Sequence, residues 1–449
     1  MPLPDLIEIV PLDQPVKAEI TVPGSKSITN RALILAALAG GEVTLTGALW
    51  SEDTQIMVEC LHKLGFEIRV ENDPEEFCNR VITVKGLGGK IPNGGTAEKP
   101  LELFVGNAGT AARFLSAFVC LGNGVYRLSG VARMHERPQA ALFQALRELG
   151  YRVECEFEND KLPARIYGAG PKEGKCRASI EESSQFASAL LLCAKIGNWE
   201  VEIVGENAEE SPYVVMTSKL MEVFLWHGGI FEIEPDASSA SYFFGAMIMS
   251  PGWRGKWQIN NIGQVELNTE SEVFLRQPKT GWQIDEAFPQ VFVSGFSGKK
   301  PISRLYDIGD SIMTAIVLGA YLGKVELRFT DLGRLRVQET ERVKALYREL
   351  KKCGADVVEQ GDMLIIQPSP LHGAEIETYH DHRMAMCFAI LGLKVPGIRI
   401  KNPACVKKTF PNFFQKLAAQ PPHGLGAEIL EIKDGRRTRK LSGDDLFAD

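Results

Sequence analysis

The stretch "RALILAALAGGEVTLTG", residues 31–47, joins an apolar run of small residues to a glycine pair and then to alternating residues. The apolar run predicts a helix that is buried on nearly all sides, because no polar face interrupts it. The glycine pair predicts the helix C-cap, and the alternation in "VTLTG" predicts a strand. We therefore expect a buried helix that runs directly into a strand.

This pattern recurs five more times along the chain, each time with a glycine near the end of the apolar run. Amphipathic helices that end at glycine follow several of the strands. One unit therefore consists of a buried helix, a strand, a surface helix and a strand, and its repetition predicts a closed or stacked αβ architecture. Examples are "ARFLSAFVCLGNGVYRLSG" (112–130), "SIMTAIVLGAYLGKVELRFTD" (311–331) and the surface helix in "LYRELKKCGADVVEQ" (346–360).

The positions of the repeats predict two similar domains. Three copies precede Glu234 and three follow Asp236, and two or three domains are usual for a chain of 449 residues. Residues 1–20 resemble strand material that pairs with the second half. We therefore expect a first domain over 21–235, a second over 1–20 plus 236–420, and a polar C-terminal extension over 421–449, which fits no repeat.

Composition excludes several classes of protein. The net charge of -7 provides no general basic surface that would attract nucleic acid or a membrane. The nine cysteines are scattered without a CxxC pair, which indicates reduced thiols and no zinc site. Because the sequence shows neither a targeting peptide nor a long apolar span, we expect a cytoplasmic protein.

Polar segments precede all six buried helices, and they are the candidate functional segments. Any one of these segments alone is best explained as a helix N-cap. Equivalent positions of a repeat should face the same cleft, where free N–H groups and helix dipoles favour anions. Nearby basic side chains suit carboxylate and phosphate. The segments are 24–27, 106–110, 182–185, 236–239, 307–311 and 380–383. The basic residues are Lys26, Arg31, Arg113, Arg137, Arg342, Arg383 and Lys408.

An ordered set of motifs resembles a known family. Together these motifs resemble the 5-enolpyruvylshikimate-3-phosphate synthases of the enolpyruvyl transferase family, from about Val22 to Phe414. The resemblance implies an α/β fold of two similar domains, each with three βαβαββ repeats in an inside-out barrel, and an active site in the interdomain cleft. The motifs are "PGSKSITNRAL", "LFVGNAGTAARFL", "ERPQAAL", "SSQFASALLL", "DASSASYF", "RVQETERV", "DHRMAMCFA" and "KTFPNFF".

The resemblance also implies a reaction in the shikimate pathway of aromatic amino acid (chorismate) biosynthesis. The enolpyruvyl group of phosphoenolpyruvate moves to the 5-hydroxyl of shikimate 3-phosphate, and phosphate leaves. Two polyanions must be held together, which requires cations, and the chemistry requires a base and an acid. We expect no metal and no organic cofactor, a monomer whose partners are these small molecules, and competition between glyphosate and phosphoenolpyruvate.

The resemblance assigns roles to individual residues. Asp310 resembles the proton acceptor, Glu339 resembles the acid, and Lys26 resembles a group that reaches both substrates. Contacts to the acceptor substrate are implied for Ser27, Arg31, Ser183, Ser184, Gln185, Tyr213 and Asp310. Contacts around phosphoenolpyruvate are implied for Gly109, Arg137, Arg342, Arg383 and Lys408, and a substrate contact is implied for Thr110.

Simpler explanations exist for several of these residues. Asp310 could cap the following helix, and Glu339 with Arg342 could be an i, i+3 surface pair. His382 is about as well explained by a cap or a structural hydrogen bond as by catalysis. A metal site at 380–382 is disfavoured, because adjacent residues do not share one helical face.

The chain departs from the family mainly on the acceptor side. Gln338 stands where the family usually has Lys, and Arg334 stands where it usually has Asn. Arg334 could supply the missing cation, so both residues are candidate acceptor contacts. The family's acceptor-side Ser falls near Glu210 or Ser211, and Phe114 stands where many relatives have Pro or Leu. An enolpyruvyl transferase with a different acceptor and an inactive anion-binding protein are therefore the alternatives.

Overall fold

The computed structural model describes residues 3–205, 211–252, 257–259, 265–267, 271–276 and 278–448. The chain divides into two compact units. The central unit is Gly24–Glu234, and the terminal unit combines Met1–Pro23 with Pro235–Asp449. Each unit is described by itself below.

The α-helices of the described residues include all six apolar runs. They are α1 (Lys26–Leu38), α2 (Glu52–Lys63), α3 (Gly109–Phe118), α4 (Ala132–Glu136), α5 (Ala140–Glu148), α6 (Gln185–Gly197), α7 (Pro212–Val223), α8 (Ala237–Met249), α9 (Phe288–Gly295), α10 (Ile312–Leu322), α11 (Arg342–Lys352), α12 (His382–Gly392) and α13 (Phe413–Ala418). Short 3-10 helices at Gly333–Val337 and Pro403–Lys408 also carry candidate site residues.

The strands alternate with these helices along the chain. They are β1 (Leu6–Ile9), β2 (Lys17–Ile20), β3 (Glu42–Leu49), β4 (Ile68–Asn72), β5 (Asn79–Lys85), β6 (Leu101–Phe104), β7 (Asn123–Ser129), β8 (Arg152–Cys155), β9 (Ala164–Ala169), β10 (Gly174–Ser179), β11 (Trp199–Val204), β12 (Gly229–Glu232), β13 (Trp257–Ile259), β14 (Val265–Leu267), β15 (Glu272–Leu275), β16 (Ile302–Ser303), β17 (Leu327–Thr330), β18 (Asp356–Gln360), β19 (Met363–Gln367), β20 (Glu375–Ile376), β21 (Ile398–Lys401), β22 (Ile429–Lys433) and β23 (Arg436–Lys440).

The central unit contains sheets of one recurring design. The orders β12-β3-β5-β4 and β6-β7-β9-β8 both begin with a parallel pair and continue with antiparallel pairs. Strands β10 and β11 form a further parallel pair. The parallel pairs β6-β7 and β10-β11 require crossover connections, which are the buried helices α3 and α6 that the sequence predicts.

The terminal unit repeats this design in the sheet β16-β17-β19-β18. Strand β1 lies at the centre of a second sheet, β20-β21-β1-β22-β23, and β2 pairs in parallel with β15. The prediction that residues 1–20 pair with the second half of the chain is therefore confirmed. Strands β22 and β23 come from the 421–449 segment, and Leu441 and Leu446 of that segment are buried in the core.

The helix burial follows the sequence pattern. Helices α1, α3, α6, α8, α10 and α12 are buried over most of their length, whereas α2, α5 and α11 bury only one face. These predictions are confirmed. An apolar helix must lie inside the unit, because no side of it can face water without exposing apolar surface.

The predicted glycine C-caps are confirmed for the surface helices α2, α5 and α11, which are followed by Gly65, Gly150 and Gly354 at positive φ, but they are mostly wrong for the buried helices. Helix α10 does end at Gly323, but α1 ends at Ala39, and α6 ends at Asn198 in a left-handed conformation with φ 57°. The glycine pair after α1 serves close packing instead. A Cβ at Gly41 would lie 2.5 Å from the backbone oxygen of His227, so this position has no room for a side chain.

No helix of the described residues is both long and apolar enough to cross a membrane.

Candidate functional site

Asp310 lies just before α10, and arginine side chains surround its carboxylate. Its Oδ1 accepts a hydrogen bond from Arg304 Nη2 at 2.7 Å, and its Oδ2 lies 3.2 Å from Arg383 Nη2. Burial raises the pKa of Asp310, but Arg383, Arg304 and Arg342 outweigh this effect and hold the pKa well below its usual value. The N-cap residue of α10 is Ser311, whose N–H donates to Asp285 Oδ1 at 2.7 Å, and the Asp310 carboxylate contacts arginines instead.

Arg342, at the first position of α11, forms the centre of this group. Its Nε and Nη2 donate to the two carboxylate oxygens of Asp381 at 2.6 and 3.1 Å. The two side chains are 1% and 0% exposed, so the bidentate pair is fully removed from water. Burial alone would lower the pKa of Arg342, but Asp381 and Glu339 together raise it above its usual value. The guanidinium therefore stays charged and fixed in one orientation.

Arg383 comes from α12 and meets the same group. Asp381 caps this helix by accepting the Arg383 N–H at 2.9 Å. The guanidinium donates to the Tyr242 hydroxyl at 3.3 Å and contacts Asp310. Asp381 thus orients two arginines at once, one through its side-chain pair with Arg342 and one through the helix cap.

Glu339 lies between two cations. Its Oε2 is 2.8 Å from Arg342 Nη2, and its Oε1 is 3.9 Å from Lys408 Nζ. The interpretation of Glu339 and Arg342 as a surface pair is wrong, because the Arg342 side chain is fully buried. Lys408 is buried as well, at the end of its 3-10 helix. We call this group the terminal-unit cluster: Asp310, Glu339, Asp381, Arg304, Arg342, Arg383 and Lys408.

The two acceptor-side departures lie beside this cluster. Gln338 accepts a hydrogen bond from Arg342 Nη1 through its Oε1. Arg334 lies on the Gly333–Val337 helix, where burial and the positive charge of Arg304 lower its pKa. A lysine at position 338 would lose this acceptor and would place a second cation against Arg342.

Lys26 and Arg31 lie on α1 in the central unit. Lys26 Nζ is 3.2 Å from Asp53 Oδ2 of α2. Arg31 is buried and donates to Thr217 Oγ1 at 2.8 Å and to Ser188 Oγ at 3.0 Å. Burial lowers the pKa of Arg31 to about 10, which still leaves it charged at neutral pH. Arg31 therefore ties α1 to α6 and α7.

Arg31 also bonds to backbone at two predicted acceptor contacts. Its Nη1 donates to the carbonyl of Ser27 at 2.9 Å, and its Nη2 donates to the carbonyl of Tyr213 at 3.4 Å. Ser27 and Tyr213 are half-buried. Glu210 lies outside the described residues, and Ser211 is the buried N-cap of α7.

Gly109 is packed directly against two guanidinium groups. A Cβ at this position would lie 2.5 Å from Arg137 Nη2 and 2.7 Å from Arg113 Nη1. Arg113 donates to the carbonyl of Gly109 at 3.1 Å, and Arg137 donates to the carbonyl of Asn107 at 3.1 Å. The N-terminus of α3 therefore presents two arginines, and glycine is what allows their close approach.

The start of α6 lies against the start of α3. Gln185 Nε2 donates to Thr110 Oγ1 at 3.3 Å, and the Gln185 N–H donates to Ser183 Oγ at 3.3 Å. Ser184 is buried at the N-cap position of α6. The structure thus brings together Thr110 and the 183–185 segment, as expected of helix starts in equivalent repeats.

Sequence reasoning missed three residues that shape these clusters. Arg304 follows a two-residue strand, and no pattern marks it. The sequence marks Asp381 only as part of a polar helix start, although its position before the apolar run is the signal of an N-cap. Asp53 is a buried residue of a surface helix, whose contact with Lys26 depends on the packing of α1 and α2. In the part of the chain that is described, no group of His, Cys, Asp and Glu could hold a metal ion.

These features define a class of protein: an α/β protein of two units, each of which gathers buried cations at helix N-termini, as binding of small anions requires. The family model described as EPSP synthase (3-phosphoshikimate 1-carboxyvinyltransferase) matches residues 11–227 and 225–417, and the chain belongs to this family.

Relatives and solved structures agree with this assignment. The 3-phosphoshikimate 1-carboxyvinyltransferase of Trichormus variabilis is 38% identical over 433 residues, which cover 92% of this chain and 98% of that protein. The protein of the same description from Opitutus terrae is 39% identical over 448 residues, with 93% and 98% covered. The structure of EPSP synthase from Acinetobacter baumannii matches with a TM-score of 0.65 at 22% identity, covering 95% of this chain and 100% of that one. The fold is therefore a mixed α/β fold with two EPSP synthase-like domains.

Proposed function

We propose that this chain transfers the enolpyruvyl group of phosphoenolpyruvate to the 5-hydroxyl of shikimate 3-phosphate, with release of phosphate. This is the 3-phosphoshikimate 1-carboxyvinyltransferase step of aromatic amino acid biosynthesis. The observation that carries the proposal is the terminal-unit cluster in a chain of this family. It holds Asp310 and Glu339 among arginine and lysine side chains, as acid–base chemistry on polyanions requires.

The proposal extends to architecture. The two units would be the two enolpyruvyl transferase domains, with boundaries near 21–235 and 236–420, each built from three βαβαββ repeats as an inside-out barrel. Two segments support the repeat, since β6-α3-β7-α5-β8-β9 and β16-α10-β17-α11-β18-β19 have the same pairing and, apart from the short helix α4 after β7, the same order of helices and strands. The substrates would bind in a cleft between the domains.

The binding roles follow from the positions of the cations. Arginine forks suit the carboxylate and phosphate of phosphoenolpyruvate, and hydroxyl and amide groups suit the acceptor. For phosphoenolpyruvate we propose Lys26, Gly109, Thr110, Arg137, Arg342, Arg383 and Lys408. For the acceptor we propose Lys26, Ser27, Arg31, Ser183, Ser184, Gln185, Tyr213, Asp310, Arg334 and Gln338.

In the proposed addition step, Asp310 accepts the proton of the 5-hydroxyl group. The oxygen of that hydroxyl group bonds to C2 of phosphoenolpyruvate at the same time. Glu339 donates a proton to C3, which turns the methylene into a methyl group and gives a tetrahedral adduct. In the elimination step the Glu339 carboxylate takes a proton back from C3, the double bond re-forms, and the C2–O bond breaks so that phosphate leaves with the bonding electrons. Lys26, Arg342 and Lys408 would offset the charge that develops on the departing phosphate.

The charges of the cluster bear on how Asp310 could act as a base. A carboxylate whose pKa lies far below neutral pH is a weak proton acceptor. Arg383 and Arg304 cause that low value in the free protein. When polyanionic substrates occupy the arginines, their negative charge opposes this effect and raises the pKa of Asp310 toward a useful range. The base would therefore be activated by the substrates themselves.

A coupled phosphate-release assay tests the proposal. We expect phosphate to form only when both phosphoenolpyruvate and shikimate 3-phosphate are present, and reactions that lack either substrate serve as controls. Turnover with another acceptor but not with shikimate 3-phosphate would favour an enolpyruvyl transferase of different specificity. Binding of both substrates without any phosphate release would indicate an inactive anion-binding protein. Action as a cytoplasmic monomer, without nucleic acid or cofactor, stays a prediction of the sequence.

A further inference from the structure

Arg304 is held in place by the sheet of the terminal unit. Strands β16 and β17 run in parallel, with Ser303 opposite Thr330. The Arg304 N–H donates to the carbonyl of Thr330 at 3.1 Å, directly after this pairing ends. Because both strands end at the same edge, Arg304 and the segment after Thr330 leave the sheet side by side.

Hydrogen bonds fix the loops on both sides. The Ser303 hydroxyl donates to Asp331 Oδ2 at 2.5 Å, and the Ser303 N–H donates to Asp307 Oδ2 at 2.7 Å. Asp331 has a φ of 60°, which turns the chain into the 3-10 helix that carries Arg334. The loop with Arg304 and the loop with Arg334 are therefore fastened to each other.

The Arg304 side chain is buried, yet its donors are not all used. It is 7% exposed, and Nη2 donates to Asp310. Its Nε is buried, and in the described part of the chain no acceptor lies within hydrogen-bonding distance of it. A buried donor of this kind normally has a partner, which can be a protein group, an ordered water or a bound ion. An oxyanion that binds during function would provide that partner.

The charges around Arg304 point to the same kind of ligand. Arg334 lies close enough that burial and the charge of Arg304 lower its pKa. Asp310 neutralises Arg304 only in part, because its other oxygen is shared with Arg383. Two neighbouring guanidinium groups repel each other, and a phosphate that accepts hydrogen bonds from both offsets this repulsion.

We propose that Arg304 and Arg334 form one oxyanion subsite, which binds the phosphate monoester of the acceptor substrate beside Asp310. The identity of that substrate rests on the proposed function. Carbons 3 and 5 of the acceptor ring are separated by a single carbon. An arginine that touches Asp310 through Nη2 can therefore bind the 3-phosphate while Asp310 meets the 5-hydroxyl. Arg304 thus supplies the positive charge that position 338 lacks in this chain.

Steady-state kinetics on Arg304→Met and Arg304→Lys test the subsite. For Arg304→Met, we expect the KM for shikimate 3-phosphate to rise about 10- to 100-fold, as for a lost charge-assisted hydrogen bond. The KM for phosphoenolpyruvate should change by less than about 2-fold. Arg304→Lys should recover part of the loss. Arg328→Gln is the matched control, since Arg328 is an exposed arginine on β17 that pairs with Glu326.

Calorimetry with shikimate 3-phosphate, shikimate and inorganic phosphate separates the sources of the anion. We expect Arg304→Met to weaken the binding of shikimate 3-phosphate and to leave the affinity for shikimate, which has no phosphate, unchanged. Arg334→Asn should raise the same KM and should add less in the Arg304→Met background than alone, because both groups share one partner. If the wild type binds shikimate 3-phosphate without turnover, a weaker affinity in Arg304→Met still supports the subsite while the proposed function fails.

Three results would overturn the proposal. A lower kcat with unchanged KM and affinity would mean that Arg304 only positions Asp310. A rise in the KM for phosphoenolpyruvate instead would assign the arginines to the other substrate. Unchanged kinetics and affinity would leave Arg304 without a binding role. If Arg304→Met does not fold, Arg304→Lys decides by the same measurements, with a smaller expected rise.

Discussion

Asp310→Asn is the perturbation that tests the terminal-unit cluster most deeply, because it removes one charge and keeps the shape. Arg304 at 2.7 Å and Arg383 at 3.2 Å both lose their anionic partner. Removing one partner of a buried ion pair costs about 3 to 5 kcal/mol. Since the Asp310 side chain is 14% exposed and an amide oxygen can still accept one hydrogen bond, we expect the low end, about 3 kcal/mol, near neutral pH.

The pH dependence of this loss has a definite sign. Arg383, Arg304 and Arg342 depress the pKa of Asp310 in the folded protein despite its burial. A group with a depressed folded pKa stabilises the fold above its unfolded pKa, about 3.9 for Asp, and loses that contribution as the pH falls toward the folded value. The free-energy difference between wild type and Asp310→Asn should therefore be full near neutral pH and shrink below about pH 4.

Urea unfolding followed by circular dichroism measures this difference at each pH. The control is Asp356→Asn, since Asp356 is exposed and lies 3.8 Å from Lys351 in a surface pair. Such a pair contributes about 0 to 1 kcal/mol, so the control should change little at any pH. An Asp310→Asn protein as stable as the wild type near neutral pH, or a difference that does not shrink in acid, would refute the claim that arginines hold an ionised Asp310.

The remaining predictions concern turnover and inhibition. Lys26→Ala should nearly abolish turnover while thermal melting shows a folded protein with a lowered melting temperature, because the substitution removes no core packing but takes the Lys26 cation from the buried Asp53 carboxylate; unfolding would indicate a structural role. Glu339→Gln should lower kcat about 100- to 10,000-fold with little change in KM, because it removes the proton but keeps the shape; an effect on KM alone would rule out the acid role. Gly109→Ala would place a Cβ 2.5 Å from the Arg137 guanidinium and push it aside. Glyphosate should then inhibit less, with a higher KM for phosphoenolpyruvate, and equal inhibition of both proteins would exclude Gly109 from the pocket.

The buried helices could be predicted from the sequence because their cause is local. Apolar residues fill every turn of α10, so no arrangement in water satisfies them, and burial follows. The helix ends were less predictable. Gly41 follows the apolar run of α1, where a C-cap glycine is expected. Glycine is needed there because the backbone of His227, which is distant in sequence, leaves no room for a Cβ.

The candidate site could be predicted residue by residue but not as a set of contacts. The polar helix starts and the family motifs mark Asp310, Glu339 and Arg383. The bidentate pair of Arg342 with Asp381 joins residues 39 positions apart, and it depends on how α11 packs beside α12. No sequence pattern marks Arg304, because its position beside Asp310 depends on the pairing of β16 with β17.

Identification of the product tests the central claim most directly. Wild-type protein should be incubated with phosphoenolpyruvate and shikimate 3-phosphate, and the acceptor analysed by mass spectrometry and phosphorus NMR. We predict that the acceptor gains one enolpyruvyl group, keeps its own phosphate, and appears in a one-to-one ratio with inorganic phosphate. Release of phosphate with an unmodified acceptor, or no reaction between these two substrates, would contradict the account.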